Sequence, residues 1–543
     1  LPLLAANLAD RGGPDITASR RAQTRIRDGV EFLASVQRAY FREMRSHLRS
    51  IGVRIPVTAV VSSDVAPDVS SVAQECDFTS ENWYGEGING DPTAPDLRFY
   101  SNRNSVRADD AGGFAPYTAA LRWNNKPVVI REWASTWPNK YRSVSEPETL
   151  AYSSLQDFDA VLLFGYQTNR APNGAEADAL NDFAFQSDPA VWGLHALAGQ
   201  AFLTRAIAPA SHTVTLAYPT PKRFVWPNRA TDLRRIAWSC RLNNVISDAP
   251  AGPLAAAPTG GPHDLQILRD VLDAVKRLNA PVSSDSVATG EWHSDTGQIA
   301  RYCRQGRLEI RTPRLCIISG DLSPDATYNL GLFSVSTPTH FGTILVYAVD
   351  NQPLSKSHHI IMKMVSRAGN TGEQFEPSDE GSPGLWVLRA RGTGPVETYG
   401  KPSTQPTRIW LNAPPEPAPK PVSTQAGSPA RGAAKPLPSR GVRPSRGAAA
   451  PRPAHTPAAR GAARIPVHMP SSARGGARAV QDAQSRPGGP MLMLYLEDGT
   501  WELDMKDGRA VVDCDTPGIA GNLLGRAFTT TPGPTEVADG AAN

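Results

Sequence analysis

No run in this 543-residue sequence approaches the roughly 18 uncharged apolar residues that a bilayer span needs, so no membrane-spanning helix is expected. Cysteine is scarce. The five (Cys76, Cys240, Cys303, Cys316, Cys514) are scattered, odd in number and never in a CxxC pair, which excludes a disulfide scaffold and a structural zinc site. Buried or reduced thiols are expected, with one or two disulfides left open. The first residues, LPLLAANLADRGG, lack both an initiator Met and a basic n-region, so they do not read as a signal peptide. There is no GxSxG, no P-loop and no HExxH, which removes the serine-hydrolase elbow, the phosphate cradle and the zinc-protease helix. The His358-His359 pair has no third ligand in view, so no metal is assigned to it.

No single sign of charge dominates overall, since the net charge is only +4. That figure hides an asymmetry. Between Ala413 and Pro490 stand 10 Arg and 2 Lys against Glu416 and Asp482, so this segment is basic and the remainder mildly acidic. The same segment is rich in Pro, Ala and Gly, with repeated Ser-Arg-Gly and Ala-Arg-Gly units. With no Phe, Trp or Tyr and too few β-branched residues to offset chain ordering, 413–490 is expected to be a disordered linker. Its charge could touch RNA or other anionic surfaces, but interleaved Phe or Tyr is lacking. A solvated spacer is the better expectation, with no specific nucleic acid as partner.

Structured text lies on either side. Apolar residues at Ile26, Val30, Leu33, Val36, Tyr40, Met44 and Leu48 predict an amphipathic helix over about 19–50. IPVTAVVSS (Ile55–Ser63), CDFTSENWYG (Cys76–Gly85), KPVVIREWAS (Lys126–Ser135) and DAVLLFGYQT (Asp159–Thr168) predict four strands. Helices are expected at Phe114–Asn125, Pro147–Phe158 and Asp188–Ile207 between and after them. Near-continuous apolar strands alternating with helices point to a parallel sheet covered on both faces. Four such repeats make either a small open α/β sheet or half of an eightfold barrel. From about 290 to 412 the period changes to two, suggesting a β-sandwich or barrel, and a convincing helix precedes it over His263–Asn279. Met491–Arg526 returns to strands with Asp-Gly hairpin signals.

Among these segments Glu132 draws attention. It ends an apolar strand, VVIREWAST, flanked by Trp133 and Trp137. A carboxylate at the carboxyl end of a parallel strand lies where α/β folds bind ligands, and nearby aromatic faces suit sugar rings. A surface salt bridge at a strand end is the competing reading. GEWHSDTGQ (Gly290–Gln298) could likewise bind sugar through Trp292, though a turn with a buried Trp is the expected outcome.

KPVVIREWAS, PNKYRS, ETLAYSSLQDFDAVLLFGYQ and DPAVWGLHALAGQAF follow one another with barrel-like spacing. Together they resemble the C-terminal half of a clan A glycoside hydrolase domain, of the cellulase or family 5-like kind, over about 20–209. The resemblance implies a partial (β/α)8 TIM barrel, about strands 5–8, with Glu132 as the nucleophile at the end of the seventh strand. It implies that Trp83 and Tyr84 correspond to the sixth-strand aromatic that orients the nucleophile, and that Tyr166 holds the eighth-strand position. The family's acid/base, a Glu after Asn on the fourth strand, has no counterpart, because no Asn-Glu pair occurs. The sequence is therefore expected to begin within a barrel, with apolar edges exposed near Ile55 and Leu162. Asp77, Glu81 and Glu86 are the substitute acids available.

The resulting expectation is an α/β plus β chain. A half barrel (1–210) is followed by a connecting α/β region (211–285), a β-sandwich accessory domain (286–412), the linker (413–490), a small β-module (491–530) and a disordered tail (531–543). The implied function is retaining hydrolysis of O-glycosidic bonds in a polysaccharide or oligosaccharide substrate, without metal or organic cofactor. Trp83, Tyr84, Trp133, Trp137 and Tyr166 would line the cleft. Secretion or envelope association follows from the resemblance alone. The alternative is a non-catalytic carbohydrate-binding or scaffold protein.

Overall fold

A computed structural model of the chain describes residues 20–59, 66–85, 88–91, 94–110, 112–166, 180, 185, 188–218, 232–250, 252–259, 263–324, 326–331, 333–377, 385–390, 396–398, 407–411, 491–494, 499–506, 509–514 and 526–529. The expected linker 413–490, the tail 531–543 and Glu86 lie outside them.

The long periodic segment forms helix α1 (Arg20–Ser50). Gly52 ends it at φ +93°, and the Val53 N–H returns to Leu48 O at 3.0 Å. Only a residue without Cβ takes that left-handed turn freely. The helix is rolled relative to the expected apolar stripe. Ala34 and Phe41 are buried, while Val36, Tyr40 and Met44 stand exposed beside Phe32. Arg42 pairs with Glu75, and Arg45 and Arg49 pair with Asp77. The row Phe41, Arg45 and Arg49 is one residue out of phase with Tyr40 and Met44, about 100° round the helix. These ion pairs turn that row, rather than the more apolar one, toward α2 (Ala66–Glu75).

Three of the four expected strands form β1 (Thr79–Tyr84), β2 (Val128–Ala134) and β3 (Ala160–Leu163). They lie side by side in chain order, parallel throughout. In the segment expected as the first strand, residues 55–59 belong to no ladder and 60–63 lie outside the described residues. Pro56 removes one donor there, and Val57 instead gives its N–H to the Asp77 carboxylate while its carbonyl accepts the Asp77 N–H, both at 2.9 Å. Ile55 is 72% exposed and Leu162 53% exposed, so apolar side chains do face solvent at both edges. No closed barrel occurs among the described residues.

Helices α3 (Phe114–Ala119), α4 (Ser145–Leu155) and α5 (Pro189–Leu203) connect and follow these strands. Helix α3 is shorter than expected, ending at Ala119, and it cannot resume through Asn124 and Asn125, which adopt φ of 52° and 53°. Helix α5 starts cleanly. The Asp188 side chain accepts the Ala190 N–H at 3.0 Å, and Pro189 takes the first turn.

A second small parallel sheet sets β4 (Thr213–Tyr218) between β5 (Arg241–Ile246) and β6 (Ala255–Ala256), followed by α6 (His263–Lys276). The period-two region then forms an antiparallel meander. It runs β7 (Glu291–His293), β8 (Ile299–Tyr302), β9 (Arg307–Arg311), β10 (Leu315–Asp321), β11 (Phe341–Ala348) and β12 (His359–Val365). Three strands from beyond the linker, β13 (Gly499–Lys506), β14 (Arg509–Cys514) and β15 (Arg526–Thr529), extend it to nine. The chain is thus a mixed fold, part parallel α/β and part antiparallel β.

One hydrophobic cluster runs from Phe41 through the parallel sheet and helices into β10 and β11. Buried ion pairs cross it. Arg301 on β8 meets Glu148 on α4 at 2.6 Å with both side chains at most 1% exposed, and also donates to Ser105 O and Ala108 O. Arg142 grips Asp188 with two nitrogens and gives a further hydrogen to Ala368 O at 2.9 Å. Cys76, Cys240, Cys303 and Cys316 are buried free thiols, and burial raises the pKa of each.

Candidate active site

Strand β2 does not pair evenly with β1. Glu81 lies opposite Ile130 and Asn82 opposite Glu132, so Arg131 is the extra residue of a β-bulge. A bulge re-aims the side chains beside it. Here Asn82, Tyr84 and Glu132 share one face, with Trp83 and Trp133 paired on the other.

On that face the Asn82 Nδ2 donates to Glu132 Oε2 at 2.7 Å, and the Tyr84 hydroxyl donates to the same oxygen at 2.6 Å. Among the described residues, Oε1 accepts no hydrogen bond. Two donors on one oxygen of a half-buried carboxylate fix its orientation. Burial first, then the hydrogen bond and charge of Glu132, push the Tyr84 phenol well above its usual range, outweighing Arg131. Tyr84 therefore stays a donor at neutral pH. Arg131 Nε donates to Asn82 Oδ1 at 2.7 Å, and its Nη2 lies 3.4 Å from Glu81 Oε1.

The other expected site residues are placed differently. Trp83 is buried edge-on against Phe114, with ring centroids 5.0 Å apart. Trp133 is buried on the face opposite Glu132, against α4 and α5. Trp137 is buried too, its Nε1 donating to Glu373 Oε2 at 2.9 Å. Trp83 and Trp137 are enclosed, and Trp133 faces away from Glu132 across β2, so none of the three is placed as an exposed sugar platform beside that carboxylate. Alternation along the strand decides it for Trp83 and Trp133, because the face that presents Glu132 turns them away. Tyr166 is 59% exposed and leans on Phe185 and Trp192 at 5.6 and 5.9 Å. Phe164, which the sequence reading did not single out, lies edge-on to Tyr84 at 6.2 Å. Asn82 was missed as well. Its signal is the spacing in ENWY, where positions 82 and 84 share a face.

Of the substitute acids, Asp77 and Glu81 are occupied, while Glu86 lies outside the described residues. Burial alone would raise Asp77, but the Val57 N–H, Arg45 and Arg49 together hold it below the usual carboxylate range. Glu81 accepts the Asn82 N–H at 2.8 Å and faces Arg131. Trp292 is fully buried, donates to Asp109 Oδ1 at 2.9 Å and carries Arg235 over its ring, so it is a core residue and no sugar platform.

A cleft of about 340 Å³, open to solvent, lies on the Trp133 side of β2, lined by Glu146, Ser153, Val161, His195 and Phe202 as well. It therefore lies on the face of β2 opposite Glu132. At its wall His195 Nδ1 is 2.9 Å from Glu146 Oε1. The hydrogen bond to Glu146 raises His195, and burial raises Glu146, so the pair keeps its proton to higher pH. The stability this contributes is full below the unfolded histidine value of about 6.5 and is lost as pH rises through the higher folded value. Thermal stability is accordingly expected to fall as pH rises above about 6.5, with His195→Gln flattening that slope in a series of melting curves.

No family model matches the chain, and neither a curated protein nor a solved structure matches it.

Proposed function

We propose that this chain is the nucleophile-bearing part of a retaining glycoside hydrolase, with β1, β2 and β3 as consecutive strands of an incomplete (β/α)8 barrel. One observation carries the reading: Glu132, at the carboxyl end of a parallel strand, has Oε2 held by Asn82 and Tyr84 while no donor among the described residues reaches Oε1. A carboxylate oriented through one oxygen can attack an anomeric carbon with the other, forming a glycosyl ester as the leaving oxygen departs. Retaining chemistry also needs an acid about 5–5.5 Å away. No described residue is assigned that part. Polysaccharide or oligosaccharide remains the substrate class, and neither a metal nor an organic cofactor enters the reaction.

The exposed group of Tyr166, Phe164 and Trp192 favours a second reading, a non-catalytic carbohydrate-binding surface. Dinitrophenyl 2-deoxy-2-fluoroglycosides separate the two, because their leaving group departs without a proton donor. The chain is expected to gain one fluoroglycosyl mass on the peptide containing Glu132, read by mass spectrometry after digestion. Binding of the parent sugars with no adduct from hexosyl or pentosyl reagents would leave only the second reading.

A further inference from the structure

We infer that Arg131 is a positioning residue for Glu132 and acts through the side-chain amide of Asn82. An amide presents a carbonyl on one side and two N–H donors on the other, and only its partners decide which way it faces. Here the Arg131 Nε–H claims Oδ1 at 2.7 Å, which leaves Nδ2 facing Glu132 Oε2, also at 2.7 Å. The reverse orientation sets the amide NH₂ against the guanidinium and the carbonyl against the carboxylate, so both contacts become repulsive.

The bulge makes the relay possible. In an unbroken ladder residue 131 would project to the face opposite 132. As the extra residue between the Ile130 and Glu132 pairings, Arg131 instead reaches the Asn82 amide. Glu81 anchors the far end: its Oε1 lies 3.4 Å from Arg131 Nη2 and accepts the Asn82 backbone N–H at 2.8 Å. Glu81, Arg131, Asn82 and Glu132 thus form one chain of hydrogen bonds from the buried Glu81 to the anchored oxygen of Glu132. The role assigned to Arg131 rests on Glu132 being the reactive group.

A double-mutant cycle on the full chain tests it. With a dinitrophenyl 2-deoxy-2-fluoroglycoside, Arg131→Met and Asn82→Ala are each expected to slow covalent inactivation about tenfold. The concentration for half-maximal inactivation should stay nearly unchanged. Arg131→Lys, which keeps a charge and a donor, should recover part of the rate. The double variant should be no slower than Asn82→Ala alone. A full further tenfold loss from Arg131→Met in the Asn82→Ala background would overturn the inference, as would an Arg131→Met variant with the parent rate.

If the parent chain takes no fluoroglycosyl label at all, the hydrolase reading fails by itself. The relay is then read with a water-soluble carbodiimide and an amine tag. Arg131→Met and Asn82→Ala should each raise tagging of Glu132, and the double variant should raise it no further. Equal tagging of Glu132 in Arg131→Met and the parent chain excludes the relay.

Discussion

Glu132→Gln is expected to lower the rate of glycoside cleavage or fluoroglycosyl labelling by at least about 10³-fold while sugar affinity stays nearly constant. The substitution preserves shape and removes the charge. Gln at this position still offers a carbonyl oxygen to Tyr84 and Asn82, so the site keeps its geometry. What it loses is the electron pair that forms the ester bond. The pairing of a rate collapse with unchanged binding is the signature to seek, using stopped labelling for the rate and calorimetric titration for affinity. Loss of both together would mean that the variant has disturbed the fold, and loss of neither would remove Glu132 from the chemistry.

The second large effect concerns stability. Arg301→Met or Glu148→Leu alone is expected to cost about 3–5 kcal/mol, because each strands one member of a buried ion pair. Both side chains are at most 1% exposed, and Arg301 is further held by Ser105 O and Ala108 O. Trp238 and Tyr152 close over the guanidinium. The double variant should recover part of the loss, since it buries no unpaired charge. Urea unfolding followed by tryptophan fluorescence reads all three.

Much of the α/β part was legible in the sequence because its signals are strong and local. Helix α1, the strands around Trp83, Glu132 and Leu162, and α5 fall within a few residues of their expected positions. The pairing of Tyr84 with Glu132 was legible only through the family resemblance, and the structure brings the two together. What could not be read was rotation and register. The roll of α1 depends on Arg45 and Arg49 finding Asp77 across 32 and 28 residues, which no periodicity encodes. The bulge at Arg131 is likewise a property of two strands together, so Arg131 carried no visible mark and Asn82 only its two-residue spacing from Tyr84. Trp83 and Trp133 misled because aromatic residues beside a carboxylate invite a sugar reading, whereas strand alternation sends them into the core.

The salt bridge from Glu148 on α4 to Arg301 on the antiparallel meander, and the hydrogen bond from Arg142 to Ala368 O, bear on how the molecule can be divided. Severing the chain near residue 285 would strand Glu148 without Arg301, and Asp188 and Arg142 without the backbone carbonyl of Ala368. Each half would then carry ionised groups with an oily surround and no water to replace what was taken away. The antiparallel region is therefore not expected to survive transplantation by itself.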